Sequence, residues 1–284
     1  MSSDIRDPLK KCARGAMDRR GFLENLAFIA GGTAAVAVLL RGSGGGAAAQ
    51  IVPKDDPRLE TGYIKYPGAA GELRAYSARP KGAGKLAGVI VVHENRGLNP
   101  HTEDIARRVA LEGFQAIAPD ALSPLGGTPE NPDEARPLFQ KLDREANIKN
   151  FVAAVAYLKT QPQATGKVAC LGFCWGGGVT NQVAVNAPDL TAAMPFYGMP
   201  PAPEDVPKIK AAVLAHYAGD DERINAGIPA FEEALKKAGI EYKIYMYEGA
   251  QHAFMNDTSP RYNKEAAELA WKRTAAFLKD KLKA

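Results

Sequence analysis

Cysteine and histidine are scarce in this chain, with three of the first and four of the second in 284 residues. Three cysteines are too few for a disulfide scaffold. His93, His101 and His216 do not fall at a zinc-ligand spacing with Cys170, so no metal site is expected. Bulk charge is missing as well. The formal net charge is +4, but residues 1–49 carry seven Lys/Arg and four Asp/Glu, and the remainder holds 29 basic against 28 acidic residues. That balance argues against nucleic acid and against a membrane surface as partners. The uncharged apolar run at 26–40 is short of the ~18 residues of a membrane span. No internal repeat is visible. A composition 46% hydrophobic and 24% charged excludes a disordered chain and describes a globular one with a sizeable core.

The basic excess lies in a segment that reads as an address. Residues 17–24 are Met-Asp-Arg-Arg-Gly-Phe-Leu-Glu, and paired Arg19 and Arg20 before Phe22 and Leu23 match a twin-arginine export signal. Residues 26–40 are fifteen uncharged residues, the length of a signal's apolar region. Ala47-Ala48-Ala49 then fits a small-residue cleavage site. The expected organisation is a signal peptide over 1–49, handled by the twin-arginine export machinery, and one domain over 50–284. Cleavage would leave no stable membrane anchor and place the domain in the periplasm or otherwise outside the cytoplasm. Cys12 would leave with the signal. Cys170 and Cys174 would remain in a compartment that favours disulfides, yet they lie four apart across a strand-to-turn boundary and are not expected to bridge.

Beyond a Pro- and charge-rich lead over 53–58, strand-like and helical patterns alternate. Strands are expected at 73–78, 86–93, 114–118, 168–173, 192–196, 211–216 and 242–247. Helices are expected at 102–112, 133–142, 146–158, 175–186, 228–237 and 264–281. A loop with three prolines and two glycines fills 121–132. The near-continuous aliphatic run at 86–93 is that of a strand covered on both faces. This alternation predicts an α/β fold with a mostly parallel sheet and helices on both faces. Ligand sites in such sheets lie at the carboxyl ends of the strands.

Gly172-Phe173-Cys174-Trp175-Gly176-Gly177-Gly178 ends one strand and opens a helix. It is the nucleophile-elbow pattern G-x-S-x-G with cysteine in place of serine. A phosphate-binding loop is excluded, since the P-loop Lys-Ser/Thr and the G-x-G-x-x-G spacing are both absent there. Glycines at 172 and 176 leave room for backbones passing close by. The helix start favours a thiolate at Cys174 and an oxyanion on a substrate, and the Trp175 N–H is the expected first oxyanion donor. An elbow calls for an acid and then a histidine later in the chain. Gly219-Asp220-Asp221-Glu222-Arg223 and Gly249-Ala250-Gln251-His252-Ala253-Phe254 follow later strands and supply them. His252 would move the proton and Asp221 would orient its ring, with Asp220 as the alternative. His93-Glu94-Asn95-Arg96-Gly97 ends the aliphatic strand, where the Asn95 N–H is the expected second oxyanion donor. His216 reads as a satisfied core residue, and Tyr63, Tyr197 and Trp175 as candidate pocket aromatics.

Those stretches, together with Gly113-Phe114 and Ala118-Pro119-Asp120, resemble the dienelactone hydrolase (carboxymethylenebutenolidase) family of α/β-hydrolases over about residues 85–282. The resemblance implies Cys174 as nucleophile, His252 as base, Asp221 as orienting acid and no cofactor. It further implies that Glu94 helps convert the thiol to thiolate once substrate binds. A free thiol near pKa ~8.5 is only a few per cent ionised at pH 7, and a thiol kept neutral until then resists oxidation. The family's enol-lactone hydrolases hold a substrate carboxylate with arginines, one of them four residues after the histidine. Here that position is Asn256, and Arg136 is a poor match for another. Arg96 and Asn256 are therefore the candidate substrate-contact positions. The expected activity is hydrolysis of a small-molecule ester or lactone through an acyl-thioester. A peptidase or acyltransferase on the same fold, and a non-catalytic binding protein, are the alternatives.

Overall fold

A computed structural model describes residues 50–69 and 71–283. The export signal and Cys12 lie outside the described residues. The strands are β1 (Leu59–Gly68), β2 (Gly71–Pro80), β3 (Leu86–Val92), β4 (Gln115–Pro119), β5 (Ala164–Phe173), β6 (Ala192–Phe196), β7 (Ala212–Asp220) and β8 (Tyr242–Gln251). The helices are α1 (Pro100–Leu111), α2 (Pro132–Phe139), α3 (Arg144–Lys159), α4 (Trp175–Asn186), α5 (Glu222–Asn225), α6 (Ile228–Lys237) and α7 (Lys264–Leu282). The sheet order is β1-β2-β4-β3-β5-β6-β7-β8. The β1–β2 and β2–β4 pairs are antiparallel, and all the others are parallel. This is the α/β-hydrolase fold.

Side chains alternate across the sheet and build two cores, as the period of two demands. Val89, Val91, Ala169 and Leu171 pack with Ile105 and Val109 of α1 and with Ala270 and Leu278 of α7. Ile90, Val92, Val168 and Cys170 face the other way, onto Phe151 and Val155 of α3, Val183 of α4 and Phe231 of α6. Helices thus cover both faces, and the central strands are apolar on both.

The helix signals act where composition places them. The Asn99 side chain accepts from the Thr102 N–H at 3.0 Å, Pro100 opens α1, and Gly113 follows it at φ +99°. Asp143 caps α3 by accepting from the Ala146 N–H at 2.7 Å, so that helix starts at 144 rather than 146. Helix α2 ends at Phe139 with Gln140 as its cap, short of the expected 142.

Strand β1 was not foreseen. Only Leu59 and Tyr66 of its ten residues are buried, and the ladder to β2, from Leu59↔Pro80 to Gly68↔Gly71, holds it rather than a side-chain pattern. β7 and β8 run four residues past their expected ends. Backbone pairing continues through polar and glycine positions to Asp220↔Gln251. That extension sets the residues after each strand, Asp221 and His252, side by side.

Two polar clusters tie loops to this frame. Arg107 is fully buried and donates to the Val52 carbonyl at 2.8 Å, Tyr76 Oη at 2.9 Å and Gln50 Oε1 at 2.8 Å. Asp104 beside it accepts from the Val52 N–H at 2.7 Å. Residues 50–52 are thereby clamped to α1. Asp120 accepts from the Leu122 N–H at 3.0 Å, the Thr128 N–H at 2.8 Å and Thr128 Oγ1 at 2.7 Å. Thr128 Oγ1 in turn accepts from the Leu98 N–H at 2.9 Å. The Pro-rich loop is in this way pinned to the turn after β3.

Glycine is required at some elbow positions and not at others. A Cβ on Gly176 would lie 2.4 Å from the His93 carbonyl oxygen and 2.6 Å from that of Val92, whereas a Cβ on Gly178 meets nothing closer than 3.7 Å. Gly176→Ala is therefore expected to cost more than ~3 kcal/mol. Gly178→Ala, at a helical position with space, should gain about 0.5–1 kcal/mol. Urea denaturation of the two variants beside wild type checks the opposite signs.

Candidate active site

The chain leaves β5 at Phe173, turns at Cys174 with φ +55° and ψ −116°, and enters α4 at Trp175. Left-handed φ is strained for a residue with a Cβ. The strain is held by neighbours that leave no alternative. The Cys174 N–H donates to the Phe196 carbonyl at 3.0 Å, and the Gly177 and Gly178 N–H groups reach the Cys174 carbonyl at 3.0 and 3.2 Å. Gly172 lies against the Gly176 carbonyl, and Gly177 against Phe196 and Gly198, at distances that admit no Cβ. Among the described residues, the other non-glycine positions with positive φ are Tyr197 and Ala253. Both belong to this region, Ala253 directly after His252.

Cys174, Trp175, Asn95, Tyr197 and His252 line one cavity of about 480 Å³ at the carboxyl ends of the strands. His252 Nδ1 is 2.5 Å from Asp221 Oδ2. With that nitrogen engaged, the other one is left for proton transfer. Asp220 is exposed on β7. Glu94 is held from two sides. Its Oε2 accepts from Asn256 Nδ2 at 2.9 Å, and its Oε1 from Tyr197 Oη at 3.4 Å.

His93 braces the same loop. Its Nε2 accepts the Ala121 N–H at 3.1 Å, so Nδ1 carries the proton and donates to the Glu94 carbonyl at 2.7 Å. Burial pushes its pKa down and keeps it neutral. The ring stacks on Trp175, 5.5 Å between centroids and 11° between planes.

The Cys174 thiol is held neutral. Burial and then the Glu94 carboxylate push its pKa up to about 11, against pulls in the opposite direction from the Trp175 N–H, Arg223 and Arg261. Cys170 is fully buried, 3.6 Å from Thr180 Oγ1, and burial drives it up to about 12. Both cysteines are free. His216 is enclosed between Tyr247 Oη at 2.8 Å and Thr274 Oγ1 at 3.1 Å, and burial lowers it to about 3.

Three candidate contacts fall elsewhere. Arg96 is half exposed, 3.8 Å from Asp133, and does not line the cavity. Asn256 is not on the cavity wall either. Its amide nitrogen serves Glu94, and its oxygen accepts from Thr258 N at 3.0 Å and Thr258 Oγ1 at 2.6 Å. Tyr63 lies on the edge strand β1, four positions along the sheet from β5, bonded to Glu103 of α1 with Arg74 over its ring. Arg136 is exposed. The cations that do line the cavity are Arg144 and Arg223, together with Asn147, Gln182 and Met199. Arg223 was within reach of the sequence, two residues after Asp221. Arg144 and Asn147 carry only a helix-start pattern, which says nothing of a pocket. No aspartate or glutamate is among the lining residues.

Residues 73–282 match the profile of the dienelactone hydrolase family. A protein of Saccharolobus solfataricus, named "Putative carboxymethylenebutenolidase", is 35% identical over 254 residues, covering 76% of this chain and 97% of that protein. An Escherichia coli protein of the same name is 32% identical, covering 82% and 91%. The crystal structure of a "Putative Dienelactone Hydrolase" from Klebsiella pneumoniae superposes with a TM-score of 0.70 at 30% identity, covering 77% of this chain and 97% of that one. A dienelactone hydrolase-like promiscuous phosphotriesterase from metagenomic libraries gives 0.71 at 25% identity, covering 79% and 99%.

The electrostatics of the thiol can be read directly. Alkylation of Cys174 by iodoacetamide should be slow at pH 8 and rise toward an apparent pKa well above that of a free thiol. Glu94→Gln removes the like charge, so the midpoint should shift to lower pH and the rate at pH 8 should increase. Rate against pH, followed by intact mass, checks the sign.

Proposed function

The chain belongs to the dienelactone hydrolase family and is a hydrolase of ester or lactone bonds; on that premise we propose that it works through Cys174 and an acyl-thioester. The observation that carries this reading is Cys174 on a strained strand-to-helix turn, in one cavity with a histidine whose Nδ1 is held by Asp221. The resting thiol is neutral. When a carbonyl substrate occupies the cavity, Glu94 or His252 accepts the thiol proton, and the sulfur attacks the carbonyl carbon. The oxygen becomes an oxyanion, held by the Trp175 and Asn95 N–H groups, with each such donor worth about 3 kcal/mol. The carbon–oxygen bond to the leaving group breaks, and the leaving oxygen takes the proton back from the acid form. His252 then removes a proton from water. The hydroxide attacks the thioester, the acid departs, and the thiolate recovers its proton. Asp221 keeps the imidazole in one tautomer and favours its cationic form. His93 and Asn256 position Glu94 without touching substrate.

The cavity wall bears on substrate class. Arg144 and Arg223 on that wall offer donors to the acceptor oxygens of an ester or lactone, while the Glu94 carboxylate acts on the thiol itself. We also propose that residues 1–49 export the chain through Arg19-Arg20. Fractionation of cells producing wild type and the Arg19→Lys, Arg20→Lys double variant should find the wild type outside the cytoplasm and the variant retained within it. Equal retention of both would overturn the export reading.

The mechanism is tested by intact mass spectrometry of residues 50–284 mixed with an aryl acetate, beside Cys174→Ala, with phenol release followed in parallel. An acetyl adduct, or turnover, present in wild type and abolished in the variant is the expected result. Equal turnover in both proteins would overturn the cysteine reading.

A further inference from the structure

Two loops carry the proton-accepting groups of this site. One runs from His93 to Asn99, between β3 and α1, and holds Glu94. The other runs from His252 to Asn263, between β8 and α7, and opens with the histidine. Adjacent residues of the second loop join it to the first and to the helix that follows. Asn256 donates through Nδ2 to Glu94 Oε2 at 2.9 Å. Asp257 reaches α1, which the Glu94 loop enters. His101 Nδ1 donates to its Oδ1 at 2.9 Å, and Arg108 Nη2 to its Oδ2 at 2.7 Å.

The catalytic steps make no use of Asp257, yet its surroundings are built for it. All three side chains of this cluster are mostly buried. Burial works against the charge on Asp257, but His101 and Arg108 hold its pKa below the usual carboxylate value. Arg108 pairs on its other side with Asp104, the residue that clamps the Val52 N–H. Buried ion pairs are weak stabilisers, because desolvation offsets their attraction. What this one fixes is a position. The other hydrogen bonds of Asn256 go to Ala253, Thr258 and Ser259 of its own loop. A polar tie from this stretch to the helix frame comes from the next residue, Asp257.

We propose that Asp257 is a positioning residue for Glu94. Bonded to His101 and Arg108, it sets the Asn256 amide against the Glu94 carboxylate and keeps that charge beside the Cys174 thiol. The inference rests on the reading that Glu94 restrains the resting thiol. Loosening Asp257 frees Glu94 to move away, so the resting thiol ionises more readily while the site turns over less well. A merely structural carboxylate would not move those two quantities in opposite directions.

The test treats the whole chain with iodoacetamide at pH 8 and weighs the peptide that carries both Cys170 and Cys174. One adduct reports on the site. Two adducts report opening of the core, since Cys170 is fully buried. Asp257→Asn keeps the size and removes the charge. It should raise the single-adduct rate about threefold or more and lower kcat/KM for phenyl acetate about tenfold. In the Glu94→Gln background the same substitution should leave the alkylation rate within a factor of about 1.5. His101→Leu, which removes one of the two bonds, should act in the same direction by less, and it replaces Asp257→Asn if that variant takes two adducts.

A single-adduct rate equal to that of wild type in both variants overturns the proposal. So does an equal rise with and without Glu94, which would put the effect elsewhere. Two adducts in both variants would make the cluster merely structural and overturn it too. Glu94→Gln without effect by itself sinks the reading of Glu94, and the proposal with it. Phenyl acetate turnover that survives Cys174→Ala sinks the cysteine mechanism instead, and the alkylation series still decides on Asp257.

Discussion

The turn at Cys174 is the constraint on which the rest of this structure depends. A residue with a Cβ stands at positive φ there because three backbones crowd around it: the end of β3 at Gly176, the end of β6 at Gly177, and β5 itself at Gly172. Each approach is closed to any side chain, so the parallel strands and α4 can dock only with glycine at these positions. Once docked, they aim the cysteine out of the sheet, the Trp175 N–H toward the sulfur, and the helix start toward the space where a carbonyl would sit. The fold and the site are one packing problem.

Around that turn the charges are arranged to restrain the thiol rather than to activate it. Burial and the Glu94 carboxylate both oppose a thiolate, and the nearby arginines only partly offset them. Glu94 is itself fixed by neutral partners, the Asn256 amide and the Tyr197 hydroxyl. A site of this kind spends its resting time as an unreactive thiol. Cys170, four residues earlier, is kept inert by the same burial without any carboxylate. It faces the opposite core, which is why the two sulfurs share a strand and a turn but no bond.

Much of this was legible in the chain itself. The aliphatic run of β3 and the Gly-rich start of α4 have patterns that only a doubly covered parallel strand and an elbow satisfy, and the structure has both elements where the spacing put them. What escaped notice had weak local signals. β1 is built of polar and glycine residues and exists through its ladder to β2. The tips of β7 and β8 pass through Gly219 and Gly249, residues that end a strand in any pattern-based reading, yet pairing between them persists to Asp220 and Gln251. The charged wall of the cavity was the least readable part. Arg96 stands close to Glu94 in sequence but leans out to Asp133, while Arg144 arrives from a helix some fifty residues later. Chain proximity is a poor guide wherever a crossover decides the direction of a side chain.

The elbow's geometry belongs to its backbone and not to the atom at its tip. Glycines at 172, 176, 177 and 198 fix the path, and the bonds across the turn run through the Cys174 backbone N–H and carbonyl. For a lineage of such chains the two kinds of position carry different freedoms. The apex can exchange one small side chain for another and keep the architecture intact, whereas the neighbouring glycines admit no exchange without losing it. Reactivity is then the heritable variable and the frame the fixed quantity, so a chain of this build can change its chemistry in a single substitution while remaining the same fold.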